Sequence, residues 1–239
     1  MKIVCSQCTK MSEGFDLRFK NPSSFVLAGV TQSGKTSLTL NILRNIDYLF
    51  EKPECKQNIL FYYHQWQPLY ERFKQENIVS EWINALPTEE DVIEKTLVYK
   101  DRGGSVIVID DFAQELNKDI VNIFSILTHH TNSVVFLLTQ NLFSKNRAFR
   151  DISLNSNYII LFKNPRDQSC IVHFARQFSP GNNAYILEAY KDATKNAYSY
   201  LLFDLHQSTD DDLRVRSNVL PSEFPMCVYK PKPKVKHNG

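Results

Sequence analysis

Gly29-Val30-Thr31-Gln32-Ser33-Gly34-Lys35-Thr36 satisfies the phosphate-loop pattern G-x-x-x-x-G-K-[ST] at every fixed position. Its flanks have the expected character. Phe25-Val26-Leu27-Ala28 before it reads as a short buried strand, and Ser37 to Ile46 after it carries Leu38, Ile42 and Leu43 at helical spacing. In that setting the loop N–H groups and the positive end of the helix converge on phosphate oxygens. Lys35 reaches the outer phosphates, and Thr36 offers its hydroxyl to Mg²⁺. Gly29, Thr31, Gln32, Ser33, Gly34, Lys35, Thr36 and Ser37 are therefore the candidate nucleoside-triphosphate-binding residues. The bland alternative, a glycine turn that happens to precede a helix, does not account for the spacing and both flanks together.

At 239 residues the chain is long enough for one α/β core with a full apolar sheet. A net charge of +2 sets up no global field that demands nucleic acid, so any such contact must come from locally concentrated charge. No apolar run approaches the ~20 residues of a membrane span, and Met1 to Met11 lacks the core of a signal peptide. The expectation is a soluble protein that stays inside the cell and meets no membrane. Five cysteines without a secretory signal point to reduced thiols. Cys5 and Cys8 form a lone C-x-x-C, half of what a structural zinc site requires, so the simpler expectation is an N-terminal arm with two thiols.

Moving outward from the loop, strand-like runs occur at Phe25 to Ala28, Asn58 to Tyr63, Ser105 to Ile109, Ser133 to Thr139, Tyr158 to Phe162 and Tyr198 to Phe203. Helical patterns at Ser37 to Ile46, Leu69 to Ala85, Thr88 to Thr96, Asn117 to His129, Asp167 to Gln177 and Asn182 to Thr194 separate them. Near-continuous apolar strands alternating with helices specify a doubly wound α/β domain, its mostly parallel sheet covered on both faces. The expected organisation is an N-terminal arm over 1–20, a phosphate-loop domain over 21–207, and an extended basic Pro/Lys tail over 208–239. The tail is expected to be solvated: Asp210-Asp211-Asp212 gives way to Lys230-Pro231-Lys232-Pro233-Lys234, which cannot build a helix or a core. Its lysines either solubilise the chain or touch nucleic-acid phosphates.

Ile107-Val108-Ile109-Asp110-Asp111 is an apolar strand ending in two carboxylates, a Walker B pattern. Asp110 is the candidate Mg²⁺ residue alongside Thr36, and Asp111 the candidate that orients or deprotonates the attacking water. The run Val134 to Leu138 ends in Thr139-Gln140-Asn141 and places the Gln140 amide toward the outer phosphate. Phosphoryl transfer also calls for a guanidinium, often from a neighbouring subunit. Arg147 and Arg150, in a loop soon after Gln140, are the candidates; Arg166 and Arg176 read more simply as surface arginines. Tyr62, Tyr63, His64 and Trp66 suit either core packing or contact with a partner.

Gly29 to Thr36, Ile107 to Asp111, Leu138 to Phe143, Ile152-Ser153-Leu154-Asn155-Ser156 and Phe162-Lys163-Asn164-Pro165-Arg166-Asp167 together resemble the genome-packaging ATPases of the FtsK/HerA superfamily. The likeness is to the poxvirus-type branch shared by large DNA viruses, virophages, adintoviruses and Polinton (Maverick) elements, and it spans roughly residues 22–206. The resemblance implies a RecA-like motor that forms a homo-oligomeric ring, often a hexamer or pentamer, and drives double-stranded DNA into a preformed capsid using ATP and Mg²⁺. It also implies a capsid or vertex protein as partner, and a place in the infected cell, in nucleus or cytoplasmic factory, or in the virion. Two departures stand out. Many members carry Glu where this chain has Asp111, which leaves room for Glu115 to assist, and Leu127 to Asn132 lacks the arginine that some relatives place before the Gln-bearing strand. The phosphate loop alone is equally compatible with a small-molecule nucleotide or nucleoside kinase, or with an assembly protein that binds ATP and hydrolyses little.

Overall fold

Uninterrupted apolar runs make the centre of the sheet. β2 (Ser23–Ala28), β5 (Val106–Asp110), β6 (Val134–Thr139) and β7 (Tyr158–Phe162) are buried along their whole length. The computed structural model describes residues 2–4, 16–112, 115–142, 147–223 and 225–231. The other strands are β1 (Lys2–Val4), β3 (Ile59–Tyr63), β4 (Glu81–Ile83), β8 (Tyr200–Asp204), β9 (Val215–Ser217) and β10 (Cys227–Tyr229). All ten join one sheet in the order β1-β10-β9-β8-β7-β2-β6-β5-β3-β4. Every pairing from β7 to β4 is parallel. From β7 through β8, β9 and β10 to β1 the pairing is antiparallel.

Alternate residues of the central strands serve two cores. Phe25, Leu27, Val108, Phe136, Leu138 and Ile160 face α1 (Lys35–Arg44), α2 (Ile46–Leu49) and α3 (Pro68–Gln75), where Ile42, Ile46, Tyr70 and Phe73 pack on them. Phe25 stacks between Phe136 and Tyr158 at centroid distances of 4.4 and 4.5 Å, three rings on adjacent strands. Val26, Ile107, Ile109, Val135, Leu137 and Ile159 face the opposite layer. That layer holds α4 (Glu89–Thr96), α5 (Lys118–Asn122), α6 (Thr128–His130), α7 (Arg147–Asn155), α8 (Ser169–Phe178) and α9 (Asn183–Ala193). A π-helical turn, Ile123–Leu127, links α5 to α6. The expected α/β architecture, a mostly parallel sheet with helices on both faces, is the observed one.

Three expectations need correction. The helix expected over Leu69 to Ala85 stops at Gln75, because Asn77 turns left-handed (φ 51°) and the β-branched Ile78-Val79 leads into β4 instead. The stretch holding Arg147 and Arg150 is helix α7, not loop; its apolar contribution comes from Phe149 and Ile152, both buried. The boundary at 207/208 fails as well. Beyond it, Val215, Val219, Leu220, Cys227 and Val228 are buried, and β9 and β10 extend the sheet. Interspersed apolar residues outweigh the acidic run, whose Asp210 carboxylate merely caps a turn by accepting from Asp212 N at 2.8 Å. β1, within the expected N-terminal arm, pairs with β10. Phe224 and Lys232 to Gly239 of the expected tail, like Cys5 and Cys8, lie outside the described residues.

A buried ion pair locks this return onto the domain. Arg216, 1% exposed, donates to Asp204 Oδ2 at 2.5 Å and to the Leu17 carbonyl at 2.7 Å, joining β9, β8 and the segment before β2.

Candidate nucleotide site

The loop between β2 and α1 bends through two left-handed residues, Gln32 (φ 62°) and Gly34 (φ 102°). Gly29 has no room for a side chain: a Cβ there would stand 2.6 Å from Ser33 Oγ and 2.7 Å from Phe162 Cβ. These features wrap the backbone around a cavity of about 670 Å³. Thr31, Gln32, Ser33, Gly34, Lys35, Thr36 and Ser37 line it, with Asp110, Asp111 and Gln140 on the same wall system. Gly29 sits behind the loop rather than on the cavity, and its carbonyl accepts from Lys35 Nζ at 2.7 Å.

Strand order explains the convergence. β6 lies between β2 and β5, so the carboxyl ends of three adjacent parallel strands deliver the loop, Gln140 and the two aspartates to one edge. Lys35 Nζ also donates to the Val30 carbonyl at 3.0 Å, and burial holds its pKa below the ordinary lysine value while Asp110 and Asp111 oppose that shift. Asp110 is 4% exposed. Burial raises its pKa, and donors from Tyr70 (2.8 Å) and Thr36 (2.9 Å), both to Oδ2, counter the rise. A hard divalent cation takes oxygen ligands, and the convergence of the Thr36 hydroxyl with the Asp110 carboxylate supplies that donor set.

Asp111 is exposed and left-handed (φ 71°), a turn that brings it to the cavity immediately after β5. Asp tolerates this conformation better than longer side chains, which gives a local reason for Asp at this position. Glu115 does not assist it among the described contacts: its carboxylate lies 3.3 Å from His64 Nε2, and it is not among the residues lining the cavity. Arg147 and Arg150 are exposed on the first turn of α7 and are not brought to the cavity. Among the described residues, no arginine lines it.

Two other sequence words turn out to be local geometry. Asn164 Oδ1 accepts from Arg166 N and Asp167 N, and Asp167 Oδ1 accepts from Ser169 N at the start of α8. Of the aromatics, Tyr62 is buried and donates to Asp91 Oδ2 at 2.5 Å, whereas Tyr63, Trp66, Tyr70 and Trp82 form one ring cluster. Packing, not partner contact, accounts for most of them.

Sequence reasoning missed Tyr70. It lies on the apolar face of α3, indistinguishable in sequence from a core aromatic, and its hydroxyl is aimed at the candidate metal residue only because α3 packs against β5. Tyr70→Phe removes a donor to the carboxylate, so the Asp110 pKa rises further. Activity that needs ionised Asp110 is then lost at a higher pH: the acid limb of the pH–rate profile moves upward, with a smaller effect above it, and an unmoved limb refutes this role.

Solved structures superpose along nearly the full chain. The genome packaging NTPase B204 from Sulfolobus turreted icosahedral virus 2, in complex with sulfate, gives a TM-score of 0.54 at 16% identity over 91% of this chain and 98% of that one. The same protein with AMPPCP gives 0.55 at 17% identity, over 89% and 100%. B204, the DNA-packaging ATPase from Sulfolobus turreted icosahedral virus, gives 0.50 at 16% identity, over 88% and 98%. The fold is that of a RecA-like P-loop NTPase. No protein-family model matches the sequence, and no curated protein matches it.

Proposed function

We propose that this chain is an ATP-hydrolysing motor that translocates double-stranded DNA and packages a viral genome into a preformed capsid. The observation that carries the reading is the gathering of Lys35, Thr36, Asp110, Asp111 and Gln140 at one cavity, on a fold shared over 91% of the chain with a genome packaging NTPase. The sequence resemblance to the FtsK/HerA superfamily, and to its poxvirus-type branch, supports the same reading. So does the crystallisation of B204 with AMPPCP and ATP-gammaS, for ATP as the nucleotide.

Each residue has a task. Loop N–H groups from Gly34 to Ser37 and the Lys35 ammonium cradle the phosphates. Thr36 and Asp110 would hold Mg²⁺, which when bound neutralises phosphate oxygens. Asp111 accepts a proton from, or orients, the attacking water, and Gln140 contacts the outer phosphate. Asp111→Asn is expected to retain ATP affinity within about twofold while cutting turnover by about 10²-fold or more; equal turnover in the variant removes Asp111 from this role.

The cavity holds no arginine among its described lining residues. A small-molecule kinase usually closes arginines over the phosphates, so this observation favours a motor whose guanidinium arrives from the next subunit of a homo-oligomeric ring. Arg147 and Arg150, exposed on α7, are the proposed donors. A capsid or vertex protein is the proposed docking partner, and the infected cell or the virion the setting. DNA is held through its phosphates, independent of sequence. The test is ATP-dependent displacement of a third strand from duplex DNA by the assembled protein. Displacement that Lys35→Ala abolishes supports translocation, and phosphate transfer to a small acceptor instead of water refutes it.

A further inference from the structure

The cavity has two unlike flanks. Asp110, Asp111 and Gln140, at the ends of β5 and β6 on one side of β2, line one. Tyr200 of β8 and Tyr198 just before it, beyond β7 on the other side, line the other with Leu220 and with Glu223, which bonds both Tyr200 and Leu220. Phosphate chemistry claims none of the second group.

Tyr198 is 71% exposed and left-handed (φ 64°), a conformation that costs a bulky side chain free energy. Its ring leans on the phosphate loop: a Cβ at Gly34 would stand 3.3 Å from Tyr198 Cβ and 3.5 Å from Cδ1. Backbone strain of this kind persists at ligand sites when surrounding structure imposes it. An aromatic face is thereby presented at the mouth of the cavity, immediately before β8.

Glu223 reaches the same cavity from the segment between β9 and β10. Its Oε2 accepts from the Tyr200 hydroxyl at 2.6 Å and from Leu220 N at 3.2 Å. Those two donors occupy both lone pairs of Oε2. Among the described residues Oε1 accepts no hydrogen bond, and burial raises the carboxyl pKa. A carboxylate with one oxygen committed to the protein offers one acceptor outward. That suits a single exocyclic amine, as on adenine, better than the adjacent N1–H and N2–H₂ donors of guanine, which call for both oxygens.

We propose that Tyr198, Tyr200, Leu220 and Glu223 form the base subsite, with Tyr198 as the stacking face and Glu223 as the acceptor for the 6-amino group of adenine. This assignment rests on the reading of Gly29 to Thr36 as the triphosphate cradle. It gives the folded-back C-terminal segment a function: β9 and the turn after it complete the nucleotide site.

Full-length protein with Mg²⁺ and a fluorescent ribose-labelled ATP, displaced in turn by ATP, GTP and inorganic tripolyphosphate, tests it. The wild type is expected to prefer ATP over tripolyphosphate by about tenfold or more, the scale of base stacking, and ATP over GTP by about tenfold through the hydrogen bond to the Glu223 carboxylate. Tyr198→Gly is expected to weaken ATP by about tenfold, leave tripolyphosphate unchanged and leave the melting temperature unchanged or higher, since glycine relieves the strain. Glu223→Gln keeps an oxygen for Tyr200 and Leu220 but turns an N–H donor toward the cavity, so the ATP preference should shift toward GTP. Two results overturn the subsite while leaving the cradle intact: tripolyphosphate binding as tightly as ATP, or Tyr198→Gly and Glu223→Gln both retaining wild-type ATP affinity and ATP/GTP ratio. Binding of neither ATP nor tripolyphosphate overturns the cradle and the subsite together.

Discussion

Lys35→Ala is expected to lower the rate of ATP hydrolysis by about 10²–10³-fold, the scale of losing one preorganised donor to developing charge. The ammonium lies against the Gly29 and Val30 carbonyls, at the lip of the cavity where outer phosphates would sit. It is held there at an electrostatic cost. Burial lowers its pKa, so its charged form destabilises the fold at pH values below the lowered folded pKa, and that cost disappears above the unfolded value. Removing the side chain should therefore leave the melting temperature at neutral pH unchanged or raised. Loss of hydrolysis without loss of folding, measured by phosphate release and thermal melting on the same samples, is the expected pair of results. A variant that hydrolyses normally means that the loop does not bind the reacting phosphates.

Arg216→Ala is expected to cost about 3–5 kcal/mol, the scale for leaving one member of a buried ion pair behind. At roughly 2–4 °C per kcal/mol for a chain of this size, the melting temperature falls by about 10 °C. Asp204, 3% exposed with Arg216 in place, would keep the donors to its Oδ1 from His206 N (3.1 Å) and Thr209 (3.0 Å) but have its Oδ2 stripped of the guanidinium. The Leu17 carbonyl loses its donor at the same time. Because the cost comes from the charge left behind, Asp204→Asn with Arg216→Met, which keeps Oδ1 for His206 and Thr209 and removes the uncompensated carboxylate, should recover part of the loss. A fall of under about 1 kcal/mol in denaturant unfolding would show the pair to be dispensable. Since β9 leads into Leu220 and Glu223, weakened ATP binding in Arg216→Ala is expected alongside the loss of stability.

The central sheet was legible because its strands are buried on both faces and so read as unbroken apolar runs: Val106 to Ile109 and Val134 to Leu138 leave little else to infer. The convergence of Gly29 to Thr36 with Asp110 at one candidate site was legible because the chemistry proposed for them fixes both residue type and spacing. What escaped has a common cause, dependence on partners distant in sequence. β4, β9 and β10 are three residues each, too short for any period, and become strands only by pairing at existing edges. Arg216 looked like a solvated tail charge; its burial is visible only once Asp204 is known to lie opposite on β8. Tyr70 reaches Asp110, and Glu223 the cavity, through tertiary packing, and no local pattern separates them from an ordinary core tyrosine or a surface glutamate. Phe149 and Ile152 alone give too little apolar periodicity to announce α7, so in sequence Arg147 and Arg150 read as loop residues.

The motor reading turns on whether DNA makes this site work. Steady-state ATP hydrolysis by the full-length protein with Mg²⁺, measured with and without duplex DNA of unrelated sequences at fixed salt, tests it most directly. The expected result is turnover that rises on adding duplex of any sequence, that weakens as salt screens the phosphates, and that disappears in Lys35→Ala. Turnover absent in the DNA-loaded assembly, or equal with and without DNA, would contradict the account.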